Sequence, residues 1–240
     1  MGAGHAAGVT GTPGVSVIIP AYHSDGTIAS CLEALRRQST NGFEVIVVNS
    51  SPSDRTGAIV TERFPEVRYL ASERRLLPHA ARNVGAREAR GDVLVFTDPD
   101  CEAAPDWIAR LLAAQAEGHE VVVGSMDVAD RDRFARGVHF VKYWWLLPGL
   151  APGRRWIAPT ANAAYSRRVW EEVGPFDDSM FASDGVMSWD AAHRTGHEPW
   201  FEPSARVHHR HPGGVGSLWR ERSARGEEFA QVRMRREGWS

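Results

Sequence analysis

Three short apolar runs, each broken off by a polar loop, constrain this 240-residue chain more than any other feature. They occupy 15–19 (Val-Ser-Val-Ile-Ile), 43–48 (Phe-Glu-Val-Ile-Val-Val) and 93–96 (Val-Leu-Val-Phe). Each is too short for a helix, rich in β-branched residues and closed by proline or polar side chains, so each reads as a buried strand. Between them, Ile28, Cys31, Leu32 and Leu35 recur at helical spacing. The Ser-Asp-Gly-Thr stretch at 24–27 is expected to cap that helix with its side chains. Further helices are expected to about Phe64, over 79–89 and around Trp107, Leu111 and Leu112, with strands over 67–70 and 120–124. This alternation predicts an α/β fold, a mostly parallel central sheet with helices on both faces.

After Gly124 the alternation fades. Residues 134–150 are rich in aromatic side chains, and His208, His209 and His211 follow a strand-like stretch at 199–207. Residues 1–14 read as a loose tail, with neither the basic start nor the apolar core of a signal peptide. Residues 15–214 suit one domain. Residues 215–240 read as an amphipathic helix, either packed on the domain or lying on a membrane surface. A formal net charge of -2 argues against a general nucleic-acid binder. Cys31 and Cys101 match no metal or redox spacing, which points to a reducing compartment and two packing thiols.

The strand at 93–96 runs into Thr97-Asp98-Pro99-Asp100. Two close carboxylates repel each other, and a cation or a proton between them relieves the repulsion. Open α/β sheets place ligands just past the carboxyl ends of their strands, where these acids fall. The loops 20–23 and 49–54 end neighbouring strands and suit a flat heterocycle with its ribose. Tyr22 offers a ring, and Asn49 and Asp54 offer polar partners. No Gly-x-Gly-x-x-Gly follows the first strand, and no Gly-Lys-Ser/Thr loop occurs, so a dinucleotide oxidoreductase or a P-loop NTPase is excluded. Phosphates would instead be neutralised by a divalent ion on Asp98 and Asp100.

Five segments together resemble family 2 of the inverting glycosyltransferases, which have the GT-A fold. They are Val-Ser-Val-Ile-Ile-Pro-Ala-Tyr (15–22), Glu-Val-Ile-Val-Val-Asn-Ser-Ser-Pro-Ser-Asp-Arg-Thr (44–56), His-Ala-Ala-Arg-Asn-Val-Gly (79–85), Thr-Asp-Pro-Asp (97–100) and Val-Gly-Pro-Phe-Asp-Asp-x-x-Phe (173–181). They stand in the family's order. The resemblance implies a transferase that moves a sugar from a nucleoside-diphosphate sugar, of UDP or GDP/dTDP type, to a hydroxyl acceptor. It divides the domain into a nucleotide-sugar-binding half (15–124) and an acceptor half (125–214).

Roles follow residue by residue from that resemblance. Pro20, Ala21, Tyr22, Asn49 and Asp54 would form the base and ribose pocket, joined by Asn83 from the 79–85 segment. The family usually has Asp at the place of Asn49. Asp98 would touch ribose and metal, and Asp100 would coordinate Mn2+ or Mg2+ with His209, His208 and His211 being near alternatives. Arg82 would either add positive charge at the diphosphate or pair with a core carboxylate. Asp184 would be the general base, although the family's adjacent acid is Ser183 here. The competing role for Asp184 is a helix N-cap. Asn162, Trp144, Trp145 and Trp156 would line the acceptor side, the tryptophans being alternatively core or a lipid-facing patch. The expected location is cytoplasmic, either free or peripheral at the inner membrane face. The alternative to an enzyme is a degenerate module that binds a nucleotide-sugar without turnover, suggested by Asn49 and Ser183.

Overall fold

The computed structural model describes residues 14–51, 55–129 and 132–211, and beyond them Trp219, Ser223 and Gly226, which are helical. Asp54, residues 1–13 and the rest of the expected C-terminal helix lie outside the described residues.

β1 (Val15–Ala21), β2 (Phe43–Asn49) and β4 (Val93–Thr97) form as the apolar runs predict, with β3 (Arg68–Ala71) beside β2. The helices that connect them are α1 (Ile28–Arg36), α2 (Thr56–Arg63) and α3 (Pro78–Glu88). Side-chain capping of α1 does not occur. The Ser24 carbonyl instead accepts from the backbone N–H groups of Thr27 (3.0 Å) and Ile28 (2.9 Å). The Ser24 hydroxyl accepts from the Tyr22 N–H (3.2 Å), so it braces the loop after β1 rather than the helix.

The remaining elements are β5 (Cys101–Ala103), α4 (Trp107–Ala116), β6 (Val121–Val128), α5 (Arg133–Tyr143), β7 (Gly153–Arg154), β8 (Asn162–Ser166), α6 (Arg167–Val173), α7 (Ser183–Thr195) and β9 (Trp200–His209). The sheet runs β3-β2-β1-β4-β8-β6-β9-β5, with β7 on β9. Pairing is parallel from β3 through β4, as expected for the first half. β8 then inserts antiparallel between β4 and β6, so the sheet is mixed beyond that point. Helices cover both faces.

Two glycines allow close approach. A Cβ at Gly85 of α3 would lie 2.6 Å from Ile18 Cγ2, so α3 can press onto β1 only with glycine there. A Cβ at Gly124 would lie 2.0 Å from the Ala205 carbonyl oxygen, where β6 and β9 shift register. The core beneath is continuous, and Phe96, Tyr165, Trp170 and Phe176 pack edge-on or tilted at ring-centroid distances from 4.9 to 6.5 Å.

Candidate active site

Parallel neighbours end on the same edge, so the loops after β1, β2 and β4 meet there. A cavity of about 650 Å³ opens at that edge, lined by Pro20, Ala21 and Tyr22 at one end and by Asp98, Pro99 and Asp100 on its floor. Its lining also includes Trp145, Trp156, Thr160 and Asp184.

Arg82 of α3 and Asp98 form an ion pair, the arginine side chain 4% and the aspartate 26% exposed. The partner of Arg82 is thus a carboxylate that lines the cavity and not one in the core. Arg82 Nε stays buried with no protein hydrogen-bond partner among the described residues. A buried cationic donor without a partner is costly, and an anionic ligand in the cavity would relieve it. Arg75, which no motif singled out, lies with its guanidinium 4.6 Å from the Tyr22 ring centroid, and both line the cavity. Only adjacency to Arg74 marks it in the sequence.

Asp100 meets His209 because β5 pairs antiparallel with β9, setting Cys101 opposite His209. His209 Nε2 stands 3.7 Å from Asp100 Oδ1. Burial lowers the His209 pKa to about 4 against an opposing pull from Asp98, so its ring is neutral, the form that binds cations. The Cys101 sulfur completes a group whose ligand atoms all lie within 4.8 Å of one another. Burial pushes the Cys101 thiol well above its ordinary pKa, so it is protonated. A carboxylate suits Mn2+ or Mg2+, an imidazole suits Mn2+ better than Mg2+, and a soft sulfur ligand suits neither. The residues present therefore fit the expected ion. His208 faces Asp127 (3.7 Å), and His211 bonds His139 (2.9 Å) with its ring centroid 4.5 Å from that of His209, so His209 and His211 stand together on the Asp100 side.

Asp184 lies in the first turn of α7, 6% exposed, and accepts from the Gly185 N–H at 3.0 Å. The N-cap position belongs to Ala182, so capping is not its role. The Ser188 hydroxyl donates to the Asp184 carbonyl (2.8 Å) and accepts from the Ala158 N–H (2.9 Å), tying this turn to the cavity wall. Ser183, where the family has an acid, accepts from the Asp177 N–H at 2.6 Å.

Three amides differ from expectation. Asn49 is buried, donates to Tyr69 Oη (3.1 Å) and accepts from the Ser51 N–H (3.1 Å), so it shapes its loop and does not line the cavity. Asn83 bonds both backbone groups of Phe176 and is likewise away from the cavity lining. Asn162 is fully buried in β8 and accepts from Trp107 Nε1 (2.8 Å). It also donates to the carbonyls of Ser125 and Ala205 (each 2.9 Å). An amide with its donors and acceptor committed inside the sheet has nothing left for an acceptor sugar. Of the tryptophans, Trp145 and Trp156 stack (5.3 Å) at the cavity, whereas Trp144 is outside its lining and 59% exposed.

Residues 16–174 match the family model described as glycosyl transferase family 2. The chain belongs to that family. Glycosyltransferase AglE of Haloferax volcanii is 27% identical, over 74% of this chain and 60% of its own length. A probable glycosyltransferase of Bacillus subtilis, YdaM, is 28% identical, over 92% of this chain and 57% of its own length. The family 2 chain thus spans about 60% of the length of these curated relatives. Among solved structures, the mannosyltransferase PcManGT from Pyrobaculum calidifontis, in complex with GDP-Man and Mn2+, superposes with a TM-score of 0.72. It is 24% identical, with 93% of this chain and 65% of that one covered. TarS 1-349 of S. aureus, in complex with UDP-GlcNAc, superposes at 0.64 and is 19% identical, with 83% and 59% covered. These likenesses establish the GT-A fold for this family 2 member. No helix among its described residues is long and apolar enough to cross a membrane.

Proposed function

We propose that this family 2 protein is a metal-dependent inverting glycosyltransferase that moves a sugar from a nucleoside-diphosphate sugar to a hydroxyl acceptor. The observation that carries the reading is that Asp184 and the Asp98-Pro99-Asp100 loop line one cavity, with Arg82 paired to Asp98 in its floor. Structures of similar fold that hold UDP-GlcNAc, or GDP-Man with Mn2+, support the donor class and the ion.

The base and ribose sit against Pro20, Ala21 and Tyr22, with Arg75 beside them. Asp98 and Arg82 fix the ribose and diphosphate. Asp100 and His209 would hold Mn2+ or Mg2+, which when bound supplies positive charge to the departing diphosphate. Asp184 accepts the proton of the acceptor hydroxyl as its oxygen bonds to the anomeric carbon. The bond from that carbon to the diphosphate breaks on the opposite face, and the configuration inverts. Trp145 and Trp156 offer flat faces on which an acceptor sugar stacks.

The test is Mn2+-dependent transfer or hydrolysis of a panel of UDP-, GDP- and dTDP-sugars by the wild type and by Asp184→Asn. Wild-type turnover is expected, with kcat reduced roughly a hundred- to ten-thousand-fold in the variant and nucleotide affinity little changed. A wild type that binds nucleotide and metal yet turns over no donor would establish the binding module instead.

A further inference from the structure

α5 buries one face and leaves the other without cover. Ala135, Val138, His139 and Tyr143 pack inward. Phe134, Phe140 and Val141, with Trp144 in the 3-10 turn (Trp144–Leu146) that follows, are 41%, 59%, 62% and 59% exposed. Single exposed apolar residues are ordinary, but several large ones along one helix face and its following turn are not.

The charge along that segment is mostly positive. From 133 to 155 the chain carries Arg133, Arg136, Lys142, Arg154 and Arg155 and no Asp or Glu, although the whole chain has a net charge of -2. Arg154 pairs with Glu198 (2.9 Å), and Arg155 is turned onto backbone carbonyls. Arg133 and Arg136 are exposed beside the apolar side chains. Asp132, also exposed, caps α5 by accepting from the Ala135 N–H at 2.8 Å, and the two arginines beside it outnumber its single charge.

The same segment reaches the cavity. Lys142, Tyr143 and Trp145 line it, and Trp156, 62% exposed, stacks on Trp145 at its rim. Aromatic and branched side chains flanked by arginines form the composition that settles at the boundary between lipid headgroups and acyl chains.

We propose that the outward face of α5 and the turn after it docks on an anionic membrane surface, so that the cavity receives an acceptor carried by a lipid. The statement about the acceptor rests on the transferase reading above; the docking does not.

The experiment is sedimentation of the full chain with vesicles of phosphatidylcholine alone and of phosphatidylcholine mixed with phosphatidylglycerol. Binding is expected to the mixed vesicles and not to the neutral ones, weakening as salt rises. Two variants test the face: Phe140→Ser with Val141→Ser and Trp144→Ser, and Arg133→Glu with Arg136→Glu. Each is expected to lower vesicle affinity roughly tenfold or more, while the thermal shift caused by Mn2+ with nucleotide stays as in the wild type. Absence of binding, or binding that both variants retain, overturns the proposal. So does a wild-type dimer that the apolar variant dissociates, since the face then meets a second copy. A fall in melting temperature of the apolar variant with unchanged vesicle binding also overturns it, because the face is then packed against the chain itself. Docking without turnover of any donor would sink the transferase reading alone, and turnover without docking would sink this one alone.

Discussion

Asn83 of α3 and Phe176, 93 positions later, exchange two hydrogen bonds. The Asn83 amide donates to the Phe176 carbonyl (2.8 Å), and the Phe176 N–H donates to Asn83 Oδ1 (3.0 Å). The side chain thus replaces a strand neighbour for a backbone segment that has none, and it binds α3 to the segment leading into α7 and Asp184. Asn83→Ala leaves both buried backbone groups of Phe176 without partners. The expected loss is roughly 2–4 kcal/mol of stability, read by urea unfolding. Asn83→Asp sets a buried carboxylate oxygen against the Phe176 carbonyl, so at neutral pH it should cost at least as much as alanine.

Arg82 pairs with Asp98 and, in the proposed reaction, faces the diphosphate. Arg82→Met strips the counter-charge from Asp98, at a cost of about 3 kcal/mol at most because Asp98 keeps contact with water. Loss of a cation at the developing diphosphate charge should also lower kcat roughly a hundred- to a thousandfold. Steady-state kinetics with a saturating donor would check this, and a kcat within a few-fold of wild type would remove Arg82 from the diphosphate site.

The ion site makes a prediction about ligand type. Asp100→Ala and His209→Ala should each weaken Mn2+ binding, measured by electron paramagnetic resonance titration of free Mn2+. Cys101→Ser should leave it near wild type, because the protonated thiol is not a ligand for a hard ion. Chelation by EDTA should abolish turnover, and added Mn2+ should restore it. Equal weakening in Cys101→Ser would point to a softer metal.

Asn162 separates a structural amide from a sugar-binding one. Asn162→Leu removes the partners of Trp107 Nε1 and of two buried carbonyls, and should destabilise by roughly 3 kcal/mol or more. Acceptor KM in the folded fraction should be unchanged. A raised KM with intact stability would return Asn162 to the acceptor side.

What was legible in the sequence is local. The apolar runs, stopped by polar loops, specify β1, β2 and β4. Because parallel neighbours end on one edge, their loops had to converge. The Asp98-Pro99-Asp100 loop at that edge carries two close carboxylates, which a cation or a proton relieves. The antiparallel insertion of β8 between β4 and β6 was not legible, since the alternation rule holds only while each strand returns through a helix.

Side-chain direction lay beyond the sequence for the same reason. Asn49, Asn83 and Asn162 are equally suited to a ligand or to a backbone group, and what lies opposite each is set by elements distant in the chain. For Asn162 the neighbours are β6, β9 and Trp107; for Asn83 the neighbour is Phe176. His209 was one of three near-equivalent histidines until the antiparallel register of β5 and β9 set it against Asp100. The sequence by itself determined which residue types gather at the carboxyl edge of the sheet. Only the tertiary structure decided which of them face the cavity, because an amide or imidazole takes its direction from partners that strand order brings to it.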